Sequence, residues 1–178
     1  MVLNHERDSS MPRVHHVKAA KDYLQEGIKK GEMYFWAKPG RRGRKIRYKN
    51  RPRPSQLTGS AFLTDAYGLR EEMEDASPGT REDLQSMAED WKTRAEELRD
   101  QCQESLDNMP EHLQDTSETG QILTERIDNL DNFANEIDGI DFETVDDVED
   151  DDDEGKTREE TDEDAVNRLT EEMPDLEV

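Results

Sequence analysis

Lysine and arginine side chains are concentrated in one short stretch of the chain. Nine of the sixteen residues from Lys38 to Arg53 are Lys or Arg, and aromatic residues lie among and just before them. Cations bind phosphate groups, and aromatic rings stack on nucleic-acid bases. The pattern predicts a nucleic-acid contact made by Tyr34, Trp36, Lys38, Arg41, Arg42, Arg44, Lys45, Arg47, Lys49, Arg51 and Arg53.

The same stretch has two other interpretations. Phe35, Trp36, Ile46 and Tyr48 would form the core of a small domain, and the cations would be its solvated face. The basic stretch would otherwise dock on acidic helices of its own chain or of a partner subunit. Isolated exposed cations are common, but nine in sixteen residues are not, so the composition slightly favours binding.

A β-hairpin is the element that would position these side chains. Met33–Trp36 has the composition of a strand, and residues 39–43 supply a turn with proline and glycine. The second strand alternates, which places Ile46 and Tyr48 on one face and Lys45, Arg47 and Lys49 on the other. Before the hairpin, the spacing of Val14, Val17, Ala20 and Leu24 predicts a short helix within 13–30.

Three helices are predicted after the proline-punctuated connector, over about 59–76, 81–107 and 120–138. Their apolar residues repeat mainly at intervals of three and four, which is typical of coiled-coil-like packing. Narrow stripes leave little apolar area per helix, so we also expect a homodimer. The residues predicted to associate are Phe62, Leu69, Met73, Leu84, Met87, Trp91, Leu98, Leu123, Ile127, Leu130 and Ile137.

Charge divides the chain into two opposed halves. Residues 1–60 have a net charge of +10, and residues 61–178 have a net charge of −32. The fold class predicted is α+β, mostly α, with a short basic hairpin, three helices and a disordered acidic tail. The predicted parts are a loose N-terminus at 1–12, a hairpin module at 13–57, a helical region at 58–138 and the tail at 139–178.

Catalytic and metal-binding patterns are missing from the sequence. The carboxylates lie on solvated helix faces or in the tail, and the four histidines and Cys102 have no metal-ligand spacing. We therefore expect a non-enzymatic protein without a cofactor or metal. The single cysteine excludes an intrachain disulfide, and no apolar run is long enough to span a bilayer. These features favour a cytoplasmic protein without membrane contact.

Residues from Val17 to Leu63 resemble a family of uncharacterised bacteriophage proteins. The resemblance lies in VKAAKDYLQEGIKKGEMYFWAK and RPRPSQLTGSAFL, with a weaker match at CQESLDNMPEHLQ. Members usually carry two tryptophans in the aromatic strand, and Ala37 occupies the second position here. The resemblance implies a phage or prophage origin and a host-cytoplasmic setting, and it implies no activity.

Taken together, these patterns predict a phage accessory protein that associates with nucleic acid through the hairpin. The acidic tail would screen the hairpin or recruit a host or phage protein. An alternative is a DNA-mimicking anti-defence protein that acts through its acidic helices and tail. A second alternative is a helical scaffold for virion assembly.

Overall fold

Two compact units make up the chain, Met1–Glu71 and Glu72–Val178. The computed structural model describes residues 12–40, 43–143, 147–149 and 157–177. Residues 1–71 contain 16 Lys or Arg and 7 Asp or Glu, whereas residues 72–178 contain 8 Lys or Arg and 39 Asp or Glu. We refer to them as the basic unit and the acidic unit.

A three-stranded antiparallel sheet forms the centre of the basic unit. Its strands are β1 (His15–Lys18), β2 (Met33–Ala37) and β3 (Ile46–Tyr48), in the order β1-β2-β3. The predicted hairpin is confirmed, since β2 pairs with β3 and Phe35 lies opposite Tyr48. A third strand on a two-stranded hairpin supplies the packing that a hairpin lacks by itself.

The helix predicted within 13–30 is wrong, because β1 and a turn occupy this stretch. Gly27 and Gly31 have φ angles of 66° and 93°, which a right-handed helix does not contain. The Asp22 carboxylate accepts a 2.6 Å hydrogen bond from the Lys30 backbone N–H, which stabilises the turn. Leu24, assigned to the apolar stripe of that helix, is 90% exposed.

A short 3-10 helix (Pro54–Gln56) and helix α1 (Ala61–Asp75) follow the sheet. The Ser55 backbone N–H and hydroxyl donate to the Glu71 carboxylate at 2.9 and 2.8 Å, which attaches the connector to α1. Of the predicted α1 stripe, Leu69 is buried, and Phe62 and Met73 are half-buried.

The acidic unit is built on a helical hairpin. Helix α2 (Arg81–Asp107) and helix α4 (Glu118–Asp138) pack together and are joined through the short helix α3 (Glu111–Gln114). Lys92 pairs with Asp138 at 2.6 Å and Arg99 pairs with Asp131 at 3.0 Å. In these two pairs the residue numbers rise along α2 as they fall along α4, so the helices are antiparallel.

Buried residues of α2 follow an unbroken heptad spacing: Leu84, Ala88, Trp91, Ala95, Leu98 and Cys102. The predicted stripe differs at one position, because Ala88 takes the buried place assigned to Met87, which is half-buried. In α4, Leu130, Phe133, Ala134 and Ile137 are buried, while Leu123 and Ile127 are half-buried. Much of the predicted association surface is therefore buried within one chain and does not by itself require a second copy.

Part of the segment predicted as a disordered tail has regular secondary structure. Strands β4 (Asp147–Glu149) and β5 (Thr157–Glu159) pair with each other, and helix α5 (Asp162–Glu172) packs on α2. Helix α5 forms because Ala165, Leu169 and Leu176 of this segment are buried, although most of their neighbours are acidic. Residues 144–146 and 150–156, which include most of the Asp-rich run, lie outside the described residues.

A buried carboxylate fixes the start of α5. Glu160 is 8% exposed and pairs with Arg81 of α2 at 3.3 Å and with Arg168 of α5 at 2.8 Å. A buried charge is stable only when it is paired and hydrogen-bonded, and both conditions hold here. The two arginines thus convert an acidic residue into a structural contact between α5 and α2.

Candidate nucleic-acid interface

One face of the sheet forms the small core of the basic unit. Tyr34 is 3% exposed and clusters with Ala19 and Ile28, and Val17, Tyr23 and Trp36 pack against this cluster. Tyr34 was predicted to contact nucleic acid. Its burial assigns it to the core and removes it from the candidate interface.

Arg47 belongs to the same core-facing side. Its guanidinium lies 4.1 Å from the centroid of the Tyr23 ring and pairs with Glu26 at 3.4 Å. Burial lowers the pKa of Arg47, but hydrogen bonds with Tyr34 and Glu26 outweigh burial, so the pKa is raised overall. Arg47 is half-buried and serves mainly to stabilise the fold.

Trp36 is enclosed by two neighbours. The His15 ring stacks on it with a centroid distance of 4.0 Å and an interplanar angle of 5°. Lys45 Nζ lies 4.0 Å from the centroid of the Trp36 ring. Because β2 lies between the other two strands, His15 and Lys45 flank Trp36 from opposite sides. A base would have to displace one of them to stack on this ring.

The opposite face carries a second row of rings, which crosses all three strands. Phe35 lies opposite His16 of β1 and Tyr48 of β3. The His16 and Phe35 rings stack at 4.3 Å with an interplanar angle of 8°. His16 is exposed, and Phe35 and Tyr48 are half-buried. We call the surface formed by His16, Phe35 and Tyr48 the aromatic face.

Apolar and charged groups surround the aromatic face. Met33 and Ile46 share its side of the sheet by strand alternation and are 51% and 45% exposed. Lys18 projects to the same side from β1 and is exposed. The Tyr48 hydroxyl donates a 3.0 Å hydrogen bond to the Gln56 carbonyl, which fixes its ring. Burial raises the pKa of Tyr48, so its phenol is neutral at physiological pH.

Most predicted cations are displayed to solvent. Lys38, Arg44, Lys45, Lys49, Arg51 and Arg53 are exposed, whereas Arg41 and Arg42 lie outside the described residues. The prediction omitted further exposed cations outside the stretch from Lys38 to Arg53: Arg13, Lys18, Lys21, Lys29 and Lys30. Cationic side chains therefore surround the sheet and are not confined to the hairpin.

Carboxylates of the sheet region are already engaged. Asp22 and Glu32 accept hydrogen bonds from the backbone N–H groups of Lys30 and Lys29, and Glu26 pairs with Arg47. Within the described residues, Arg13, Lys18, Lys38, Arg44, Lys49 and Arg51 have no carboxylate partner. The unit therefore presents a net positive surface to an anionic ligand.

A metal site, a ligand pocket and a reactive cysteine have less support than the basic surface. In the part of the chain that the structure describes, no group of three or more His, Cys, Asp or Glu side chains could hold a metal ion. An open depression of about 390 Å³ beside α3 and α4 is lined by polar side chains such as Gln114, Glu125 and Asp128. Burial raises the pKa of the Cys102 thiol, which favours its protonated form over the nucleophilic thiolate.

Comparison with known proteins gives no relative: no family model, no curated protein and no solved structure matches the chain. The helices within the described ranges are all too short or too polar to cross a membrane.

Proposed function

We propose that the chain is a non-enzymatic accessory protein that binds nucleic acid through the basic unit, in keeping with its resemblance to bacteriophage proteins. One observation carries this proposal. The carboxylates of the sheet region are engaged within the unit, while at least six of its cations are exposed and have no described carboxylate partner.

Phosphate binding follows from this arrangement. Each cation that neutralises a phosphate releases condensed counterions, so affinity falls as salt rises. Lys38 and Arg44 flank the hairpin turn, and Lys49 and Arg51 follow β3. A phosphate backbone that runs along β3 would meet all four. Arg47 is excluded from this set because its charge is paired with Glu26.

The acidic unit has a separate role in this proposal. Its carboxylates repel nucleic acid, so a bound strand is confined to the basic unit. The same carboxylates offer a surface for a basic host or phage protein. A homodimer would use the helical surface that α2, α4 and α5 leave uncovered.

Charge reversal tests the proposal. The variant Lys38→Glu/Arg44→Glu/Lys49→Glu is compared with Lys21→Glu/Lys29→Glu/Lys30→Glu, which has the same change in net charge within the same unit. We expect the first variant to bind single- and double-stranded DNA roughly 100-fold more weakly at low salt. Its negative slope of log affinity against log salt should become shallower by about two. The control should lose much less.

Fluorescence anisotropy of the full chain at two salt concentrations gives both quantities. An equal loss of affinity in the two variants would show that the net charge of the unit, and not the position of its cations, determines the affinity. Absence of binding by the unmodified protein would rule out the proposal.

A second candidate function uses the acidic unit as a mimic of a nucleic-acid backbone. In that unit Arg81, Lys92, Arg94, Arg99 and Arg168 are all paired with carboxylates. The excess carboxylates therefore define its surface, which suits a DNA-binding enzyme as partner. Reversal of Lys38, Arg44 and Lys49 would spare this function and abolish the first.

A further inference from the structure

We infer that the aromatic face of the sheet stacks on unpaired bases, so that the ligand of the basic unit is single-stranded nucleic acid. This inference rests on the proposed function and names its ligand class. It adds a surface that differs from the cations in chemistry and in position. DNA and RNA present the same base faces, and the experiment distinguishes between them.

The burial pattern leaves much of this row of rings open to solvent, although Ala37 on the same side of β2 is fully buried. Tyr34 and the residues packed on it occupy the other side of β2. On the aromatic side, Met33 and Ile46 remain about half exposed and His16 is exposed. Exposed apolar surface costs free energy in water, and contiguous apolar patches commonly mark a contact site.

The geometry of the rings suits planar ligands. His16, Phe35 and Tyr48 lie in register across the three strands, and the stacked His16–Phe35 pair is nearly parallel. Since β1 is the edge strand of this sheet, no strand among the described residues covers the outer side of the His16 ring. A base can therefore stack on the end of the row without opening the core.

Charge favours a nucleic acid over an apolar partner. Lys18 is exposed on the same side of the sheet, and exposed Lys38 and Lys49 follow β2 and β3 directly. Aromatic rings bordered by cations bind single strands by stacking the bases and contacting the phosphates. A duplex keeps its bases stacked on each other, so it would use the cations and not the rings.

The experiment compares ring removal with a matched change on the same face. Phe35→Leu and His16→Ala remove a ring, whereas Ile46→Ala removes exposed aliphatic surface. Full-length proteins are titrated with labelled oligo-dT, oligo-U and a mixed-sequence duplex. We expect both ring variants to bind the single strands roughly tenfold more weakly, with the duplex affinity and the salt slope nearly unchanged.

Further results support or overturn the inference. Upfield shifts of the Phe35 ring protons on addition of oligo-dT or oligo-U would support stacking, and the ratio of the two affinities shows whether the DNA or the RNA strand is preferred. Unchanged single-strand affinity in both ring variants would overturn stacking, while a large loss in the Lys38/Arg44/Lys49 variant would still uphold the proposed function.

Self-association through the aromatic face would give a different experimental result from nucleic-acid binding. A second copy of the chain packed on this face would give concentration-dependent association in sedimentation experiments. That association would weaken in Phe35→Leu and Ile46→Ala to a similar extent, and this result would overturn the inference in favour of self-association.

Discussion

The basic and acidic units use their minority charges in the same way. In the basic unit, Asp22, Glu26 and Glu32 are engaged in turns and in an ion pair, and the cations are left exposed. In the acidic unit the arginines are paired, for example Arg81 with Glu160, and the carboxylates are left exposed. The minority charge of each unit builds the fold, and the majority charge forms the surface available to partners.

The basic and acidic units differ, however, in the interactions that stabilise them. The basic unit has a small core around Tyr34, supplemented by the stack of Arg47 on Tyr23. The acidic unit has a heptad seam of fully buried aliphatic side chains such as Leu84 and Leu130. We therefore expect substitutions in the seam to cost the most stability and to affect nucleic-acid binding the least.

The largest effect is expected for Leu130→Ala, which removes a side chain with 0% exposure. The lost burial and the cavity should lower the free energy of unfolding by about 4 kcal/mol. Cys102 is buried in the same unit, so its rate of reaction with a thiol reagent should rise. Leu24→Ala is the control, because Leu24 is 90% exposed and its loss should change the free energy of unfolding by less than about 0.5 kcal/mol. Equal effects of both substitutions would contradict the described core.

Glu160→Gln is expected to have the next largest effect. It leaves Arg81 and Arg168 without their shared carboxylate, and breaking a buried ion pair costs about 3 kcal/mol. Glu172→Gln removes an exposed partner of Arg168 and should cost less than about 1 kcal/mol. Denaturant unfolding of both variants measures the difference. A small cost at Glu160 would mean that α5 is not held by this contact.

Arg47→Met separates a structural cation from the ligand-binding cations. Loss of the stack on Tyr23 and of the Glu26 pair should cost about 1–2 kcal/mol, with little change in the salt slope of nucleic-acid binding. Lys49→Met should do the reverse, reducing the slope by about 0.7–0.9 without destabilising the fold. The distinction between the two cations would be lost if both substitutions reduced the slope equally.

The smallest effect concerns alkaline pH. Burial raises the pKa of Tyr48, so the folded chain keeps this proton to higher pH than the unfolded chain does. The resulting stabilisation is present below about pH 10 and is lost as pH rises above it. Tyr48→Phe should lose stability less steeply over this range in denaturant unfolding at a series of pH values. Identical pH slopes would show that the Tyr48 phenol does not contribute.

Periodicity in the sequence predicted the larger elements. The spacing of apolar residues predicted helices α2 and α4, because this signal is local. Met87 is the larger apolar residue and is predicted to be buried, but Ala88 is the buried residue. Side-chain size alone therefore does not identify the buried stripe. The alternating steps of four and three residues place position 88 in the seam, and the larger Met87 lies beside it.

Strand pairing could not be predicted in the same way. Val14, Val17, Ala20 and Leu24 have helical spacing, but His15–Lys18 pairs with Met33–Trp36, some twenty residues away. Unless β1 is known, the sequence does not show which side of β2 faces the core, because Met33, Tyr34, Phe35 and Trp36 are all apolar. A shift of one residue exchanges the two faces of a strand, and so Tyr34 was assigned to the interface in place of Phe35.

Glu160 has a consequence for how the chain is connected. Asp138 and Glu160 are both held by α2, through Lys92 and Arg81, so residues 139–159 join two points on one helix. Cleavage at a protease site inserted at 151–156 would cut the backbone, yet α5 would remain bound to α2 through its buried side chains. The acidic unit would become a complex of two polypeptides. Its stability would then depend on protein concentration, because the covalent tether that keeps α5 near α2 would be gone.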